Sequence, residues 1–490
     1  MSRKSAVLHR TAAGIGALAL VFAGAVAMGT AANAVTGPAP DQPGAPTAGT
    51  LTINKYSGAH TPTPDPADLL DGVEFTVTQV GHTVGGACVA LDLTDADNWD
   101  GLPELFDSAP TAPADPLCLT GTQQVESTVD GQAIFDLGVG VYYVVETGSG
   151  DHPIVSPVPN FYVSIPTSNG ASGDGWNYDV VADPKNQLSE APSKVISDRP
   201  DALVIGSNVT WTLTVPIPTF NNDETFTTAS MTDTLPAGLA YTSSTIEVGG
   251  ETLTEGDDYT VTGATTWSFG ATGLAALDAN QGGDITITLV TQVTTVSESG
   301  HIVNDDYESS FNGTVVPGED FPHTYWGQLN IQKNDNSTPA RGLEGAEFQV
   351  FEMGASCPAE APGSGAVATG VSDDNGVVQW TGVTPASPLG LWVANSNAGE
   401  LTDPSKDYCV YETVIPAGHT VGTSITNPVS IEPGTVNVAN FTVVNNKKPG
   451  PALPLTGSTG TLAMTIGGIA IIALGAGTLL VSRRHCKGSL

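Results

Sequence analysis

The sequence predicts an all-β protein built from three tandem immunoglobulin-like sandwiches. Short runs rich in Thr and Val alternate between apolar and polar residues and are separated by Gly, Asp and Pro turns, the pattern of a half-buried strand. Only 13% of residues are charged while 40% are hydrophobic, and no long amphipathic helical pattern appears. A length of 490 residues, at roughly 150 per domain, leaves room for about three cores.

The ends differ from the middle. Arg3, Lys4 and Arg10 precede an apolar run, Ala13 to Gly29, closing at Ala32-Asn33-Ala34. A basic start, an apolar core and an Ala-x-Ala site read as a secretory signal peptide over 1–34. Residues 35–50, rich in Pro, Gly and Ala, read as a flexible leader. At the other end, residues 462–481 are apolar and uncharged, long enough to span a bilayer. Arg483, Arg484 and Lys487 follow in a short tail, 482–490, that the positive-inside rule places in the cytoplasm.

The strands fall into three units. Thr52 to Tyr56, Gly140 to Val145 and Phe161 to Ile165 belong to the first, 51–187. Trp211 to Val215 and Asp284 to Leu289 belong to the second, 188–324; Gln328 to Lys333 and Phe441 to Asn445 bound the third, 325–448. Units one and three repeat one another. Leu51-x-Ile53-x-Lys55 matches Leu329-x-Ile331-x-Lys333, and Asp71-Gly72-Val73-Glu74-Phe75 matches Glu344-Gly345-Ala346-Glu347-Phe348. Tyr143-Val144-Val145-Glu146-Thr147 then matches Cys409-Val410-Tyr411-Glu412-Thr413, so one fold is used twice.

Charge excludes one class of partner. Between residues 35 and 456, nine basic residues face all 51 acidic ones, a balance of −42, whereas nucleic-acid binding needs a clustered basic face. Seven of the nine are lysines (55, 185, 194, 333, 406, 447 and 448), and their scarcity makes each one informative. Export permits disulfides, so Cys88 is expected to pair with Cys118 and Cys357 with Cys409, leaving Cys486 unpaired. No Cys pair has zinc-site spacing, and no metal or cofactor is expected. The acidic run from Asp92 to Gly101 fails the EF-hand pattern, because position 12 counted from Asp95 is Phe106. A hydrolase would need a signature such as G-x-S-x-G or H-E-x-x-H, and none is present.

Leu453-Pro454-Leu455-Thr456-Gly457, in linker 449–461, stands just ahead of the apolar span. This order resembles the L-P-x-T-G sorting signal of Gram-positive sortase substrates. The resemblance implies cleavage between Thr456 and Gly457, with the sortase cysteine holding the Thr456 carbonyl as a thioacyl intermediate until an amine resolves it. With the three-unit layout, the chain resembles the sortase-assembled major pilins of Gram-positive bacteria, whose fold is collagen-adhesin-like.

Three internal motifs extend that resemblance. Trp176 to Asn186 looks like the pilin motif and ends in Pro184-Lys185-Asn186, although Asp183 replaces the usual Tyr. The resemblance makes Lys185 the linking lysine, expected at an accessible domain junction. Tyr408 to Gly418 carries every fixed position of the family's E-box, Y-x-x-x-E-T-x-x-P-x-G. That implies an amide bond between Lys333 and Asn445 catalysed by Glu412, with the neighbouring Asn446 as the other possible partner. In the middle unit Lys194, Asp233 and Asn304 resemble the Lys, Asp and Asn of collagen-adhesin-like isopeptide domains. Unit one offers Lys55 and Glu146, but its closing segment supplies Lys185 where an Asn is expected, so no bond is predicted there.

The function implied is the shaft subunit of a covalent, cell-wall-anchored pilus, not an enzyme. Its partners would be sortases, further copies of itself, minor pilins and peptidoglycan, with host receptors as a further class. The alternative is a wall-anchored adhesin or a minor tip or base pilin, which would not need a linking lysine.

Overall fold

The computed structural model describes residues 36–58, 64–99, 102, 111–168, 175–221, 224–263, 265–450, 465–466 and 468–472. The signal peptide, the sorting pentapeptide, the basic tail and Cys486 lie outside these residues. No helix among the described residues is long and apolar enough to cross a membrane. The described residues are mostly β, with a nine-residue α-helix, Ala271–Ala279, in the middle of the chain and helical residues again at 465–466 and 468–472.

Two compact units are distinguished. One comprises Met1–Gly327, Gly390–Ser405 and Glu432–Val436; the other comprises Gln328–Leu389, Lys406–Ile431 and Asn437–Leu490. The first contains two sandwiches.

In the N-terminal sandwich one sheet runs in the order Phe161–Ile165, Gly140–Gly148, Glu74–Val84, Ala87–Ala90, with Leu117–Ser127 also on Glu74–Val84. Facing it, Ala48–Asn54 lies between Gln132–Gly138 and Asp179–Ala182, the last running parallel to it. Leu51, Ile53, Phe75, Val77, Phe135, Val144 and Val180 from the two layers meet in the core. The leader departs from the flexible segment expected of its composition. Thr36–Gly37 pairs with Trp176–Asn177, and Tyr178 donates to the Pro38 carbonyl at 2.9 Å, so this stretch closes one end of the sandwich.

The middle sandwich has two five-stranded sheets. One is ordered Ser193–Ile196, Asn208–Pro216, Asp284–Val293, Leu239–Val248, Glu251–Thr252. The other is ordered Tyr259–Thr262, Thr266–Phe269, Ala229–Asp233, Tyr307–Phe311, Thr314–Pro317. Along Asn208–Pro216 every second residue is buried, as a strand with one face on a core requires. Trp211 and Trp267 are fully buried, and Trp211 donates its indole N–H to Thr291 Oγ1 at 2.8 Å, so neither ring nor dipole is wasted.

In the second compact unit the sheet order is Val378–Trp380, Ala368–Ser372, Glu347–Glu352, Lys406–Val414, Val429–Ile431. The internal repeat seen in the sequence is repeated here in register. Phe348 lies opposite Glu412 as Phe75 lies opposite Glu146, and a register shift falls just before each Phe. Thr413 donates to Glu347 at 2.7 Å where Thr147 donates to Glu74 at 2.8 Å.

Both disulfides form as expected. Cys88 and Cys118 have Cα atoms 5.9 Å apart, and Cys357 and Cys409 5.6 Å apart, ordinary spacings for a bridge.

Candidate functional site

Lysines 55, 194 and 333 are each almost completely buried, at 0%, 1% and 0% exposure. An ammonium taken out of water must be paired or neutralised, so three such sites call for a specific chemistry.

Lys333 sits on the strand His323–Asp335. Its amide donates to the Gly376 carbonyl at 2.6 Å and its own carbonyl accepts from Leu343 at 3.0 Å, which fixes the backbone. Gly376 follows Asn375 in a tight turn with φ +79°, where a Cβ would collide with the Lys333 carbonyl. The amine lies 3.1 Å from Glu412 Oε1, and Asn445 Nδ2 donates to Glu412 Oε2 at 3.1 Å. Asn445 is fully buried, whereas Asn446 is exposed and donates to the Val421 carbonyl. The one-residue alternation of a strand therefore selects Asn445. Burial pushes the Lys333 amine below its ordinary pKa, against the opposing pull of Glu412.

The middle sandwich builds a second set. Lys194 Nζ is 2.8 Å from Asp233 Oδ2, and Asn304 Nδ2 is 3.4 Å from the same oxygen. All three are buried, and Lys194 Nζ also stands 4.0 Å above the Tyr307 ring. Burial lowers the lysine and raises the aspartate, so both are driven towards the neutral forms that nucleophilic attack requires. Asp233 Oδ1 and Asn304 Oδ1 have no hydrogen-bond partner.

Unit one corrects the expectation drawn from its sequence. The missing Asn is present: it is Asn186, the residue after Lys185. Lys55 Nζ donates to Asn186 Oδ1 at 2.5 Å and lies 2.8 Å from Glu146 Oε2, while Asn186 Nδ2 donates to Glu146 Oε1 at 2.7 Å. The Lys55 amide donates to the Gly131 carbonyl and its carbonyl accepts from Leu70, repeating the Lys333 arrangement. Burial takes the Lys55 amine down to about 8, with Glu146 opposing. The signal was available, since Lys55 and Glu146 occupy the repeat positions of Lys333 and Glu412. It was missed because Lys185 was given the place that its neighbour holds.

Lys185 itself is not at an accessible surface. It is 1% exposed, on the strand Lys185–Leu188, with Nζ 5.2 Å from the Tyr56 ring. Asp183, in the position the motif usually gives to Tyr, is also buried and accepts from Asn54 at 2.8 Å.

Each cluster presents a buried amine, a carboxyl and a carboxamide within hydrogen-bonding reach. Such a set can condense. The carboxylate takes the amine's proton, the neutral amine attacks the Asn Cγ, and the Cγ–Nδ2 bond breaks as the nitrogen leaves as ammonia with the relayed proton. The products are one amide and one ammonia, with no cofactor required.

Residues 189–318 match the Sgo0707 N2 domain, and residues 445–487 match the LPXTG cell wall anchor motif. The chain is 27% identical to the type 2 fimbrial subunit of Actinomyces naeslundii, across 97% of this chain and 96% of that one. It is 26% identical to the type 1 fimbrial subunit of Actinomyces viscosus, across 97% and 98% respectively. The chain is a wall-anchored pilus subunit. The full-length major pilin SpaD from Corynebacterium diphtheriae shares its fold, with a TM-score of 0.57, 23% identity, and 82% of this pilin and 98% of that chain covered. Like its fimbrial relatives, the pilin is a structural subunit and not an enzyme, and its place is the cell-wall surface.

Proposed function

We propose that this pilin is the repeating shaft subunit, polymerised by a sortase that joins Thr456 of one copy to Lys185 of the next. In that step the Lys185 amine attacks the thioacyl carbonyl of Thr456. The C–S bond breaks, an amide forms, and the sortase cysteine leaves as a thiol with the proton the amine gives up. Because the donor Thr456 and the acceptor Lys185 are different groups of one chain, growth is head-to-tail and open-ended. Minor pilins and peptidoglycan are the remaining partners under this reading, and a housekeeping sortase would attach the finished polymer.

Three internal cross-links, Lys55–Asn186, Lys194–Asn304 and Lys333–Asn445, would tie each sandwich, in domains placed at 51–187, 188–324 and 325–448. Glu146, Asp233 and Glu412 are the carboxyls that catalyse them. The observation that carries the reading is that three of the seven lysines between residues 35 and 456 are buried against an acid and an Asn, with contacts of 2.5–3.4 Å in each set. Left unreacted, buried ion pairs of this kind contribute little to stability.

The experiment is a ladder assay in cells that carry the sortase. Lys185→Ala should leave a folded, wall-anchored monomer and abolish the SDS-resistant ladder. A ladder that survives Lys185→Ala refutes the assignment. The burial of Lys185 favours a second reading, in which the chain is an adhesin or a minor pilin, and absence of a ladder in the unmutated strain would select it.

A further inference from the structure

The strand that carries the buried Lys185 is also held from outside its own sandwich. The strand Lys185–Leu188 lies between Tyr56–Ser57 and Ile154–Ser156 in a small sheet, and a segment of the middle sandwich is hydrogen-bonded to it and to Ser156. Asn221 reaches furthest: its Nδ2 donates to the carbonyls of Lys185 and Ser156, each at 3.3 Å, and its Oδ1 accepts from Gln187 at 3.3 Å. Its backbone N–H donates to Ser156 Oγ at 3.0 Å. Thr219 donates to Gln187 Oε1 at 2.9 Å, and Ser156 Oγ donates to Glu224 Oε2 at 2.5 Å.

This segment is rooted in its own sandwich. Ile217 and Gly282–Gly283 exchange backbone hydrogen bonds at 2.8 and 2.9 Å. The Phe220 N–H donates to Gln281 Oε1, and the Phe220 ring packs 4.5 Å from Phe226. The base is therefore apolar and fixed, while the tip that meets Lys185 is made of small polar groups. Such a seam can part at the tip, because hydrogen bonds at a part-exposed contact are readily exchanged for water.

The other side of Lys185 offers no exit. Asn186, the next residue, is held by Lys55, Glu146 and the Val158 N–H, the last at 2.7 Å. The strand cannot peel outward from its own sandwich without breaking that cluster, and an amide to Lys55 would forbid it.

We propose that Thr219, Asn221 and Glu224 form a latch that keeps Lys185 closed, so that the lysine becomes an acceptor only when the middle sandwich parts from the N-terminal one. The latch rests on the reading of Lys185 as the linking lysine for its purpose, but not for its existence. A closed acceptor would keep free monomers from being linked at random, and would place the decision with whatever engages the seam.

The test is amine footprinting of the full chain, purified in detergent, with an N-hydroxysuccinimide acetyl ester and peptide mass spectrometry. Lys448, which is exposed, is the internal reference. Lys185 of the unmutated pilin should acetylate at least about tenfold more slowly than Lys448, as a closure worth roughly 1.4 kcal/mol or more requires. Thr219→Ala/Asn221→Ala/Glu224→Gln should raise the Lys185 rate by about tenfold, leaving Lys448 and the circular dichroism spectrum unchanged. Should that variant fail to fold, Asn221→Ala alone removes three side-chain contacts and is read by the same ratio. A Lys185 rate equal to that of Lys448 in the unmutated pilin overturns the latch, as does a folded variant in which Lys185 stays protected. A ladder surviving Lys185→Ala would instead defeat only the linking role, since the footprint is read without any sortase.

Discussion

Asn186 donates to Glu146 at 2.7 Å in the N-terminal sandwich just as Asn445 donates to Glu412 at 3.1 Å in the C-terminal one. In each case the acid lies opposite a Phe at a register shift, and the lysine backbone is pinned by a turn glycine and by a leucine, Leu70 or Leu343, that precedes the next strand. The acid of unit one is thus part of a complete set and not a remnant of a duplicated fold. The same short strand carries Asn186, which faces that cluster, and beside it Lys185, the lysine proposed to link one copy to the next.

The first prediction follows from the condensation. Each bond expels one ammonia, about 17 Da, so the exported chain should weigh about 51 Da less than its disulfide-bonded sequence. Glu146→Ala, Asp233→Ala and Glu412→Ala should each restore about 17 Da independently. Intact-mass spectrometry decides it, and a deficit of about 34 Da unaffected by Glu146→Ala would return unit one to the uncross-linked state.

The second prediction concerns stability. Lys333 and Asn445 lie on the first and last strands of their sandwich, so their bond closes nearly the whole unit into one loop. By analogy with a disulfide closing a loop of about 100 residues, the constraint on the unfolded chain is worth roughly 4–5 kcal/mol. Asn445→Ala should lower the unfolding midpoint of that unit well beyond the effect of exposed Asn446→Ala, expected within about ±0.5 kcal/mol. Equal calorimetric midpoints for the two variants would show that no bond forms.

The third prediction uses access. Cys409 is 1% exposed, whereas Cys88 and Cys118 are both half-buried near the edge of their sheet. Exchange requires a thiolate to reach a sulfur in line. Mild reductant followed by alkylation should therefore label Cys88 and Cys118 before Cys357 and Cys409, and peptide mapping that finds the reverse order would contradict the burial.

Much of this was legible in the sequence, and what was not has a physical reason. Alternation over Asn208–Pro216 gave a half-buried strand because one face must meet a core, and the repeat gave two equivalent sandwiches because equal sequences bury equal faces. Lys333, Glu412 and Asn445 were readable through the resemblance of Tyr408 to Gly418 to the E-box, all of whose fixed positions are present. The surroundings of Lys185 were not. Asn221, 36 residues away in another sandwich, donates to the Lys185 backbone carbonyl, and no local pattern records a contact made through a side-chain amide to a backbone carbonyl. The ordered leader was hidden likewise, since Thr36–Gly37 is held by Trp176–Asn177 and not by its own composition.

The last prediction is a pH dependence that exists only where the bond is missing. In an Asn186→Ala chain Lys55 stays an amine, and its pKa in the folded protein, about 8 against an ordinary 10.5, is set by burial with Glu146 opposing. Between those values the unfolded chain holds a proton that the folded one lacks, so stability rises with pH, by at most about 1.4 kcal/mol per unit. Below about pH 8 both states are protonated and the burial penalty is complete. The unfolding midpoint of the N-terminal sandwich in Asn186→Ala should therefore climb from pH 8 to pH 10. Asn186→Ala/Lys55→Met, which lacks the amine, should not share that climb. With the proposed bond to Asn186 formed, Lys55 of the unmutated chain is an amide in both folded and unfolded states, so it has no proton to exchange and should contribute no slope. A climb of equal size in all three proteins would assign it to other groups and leave Lys55 without its buried amine.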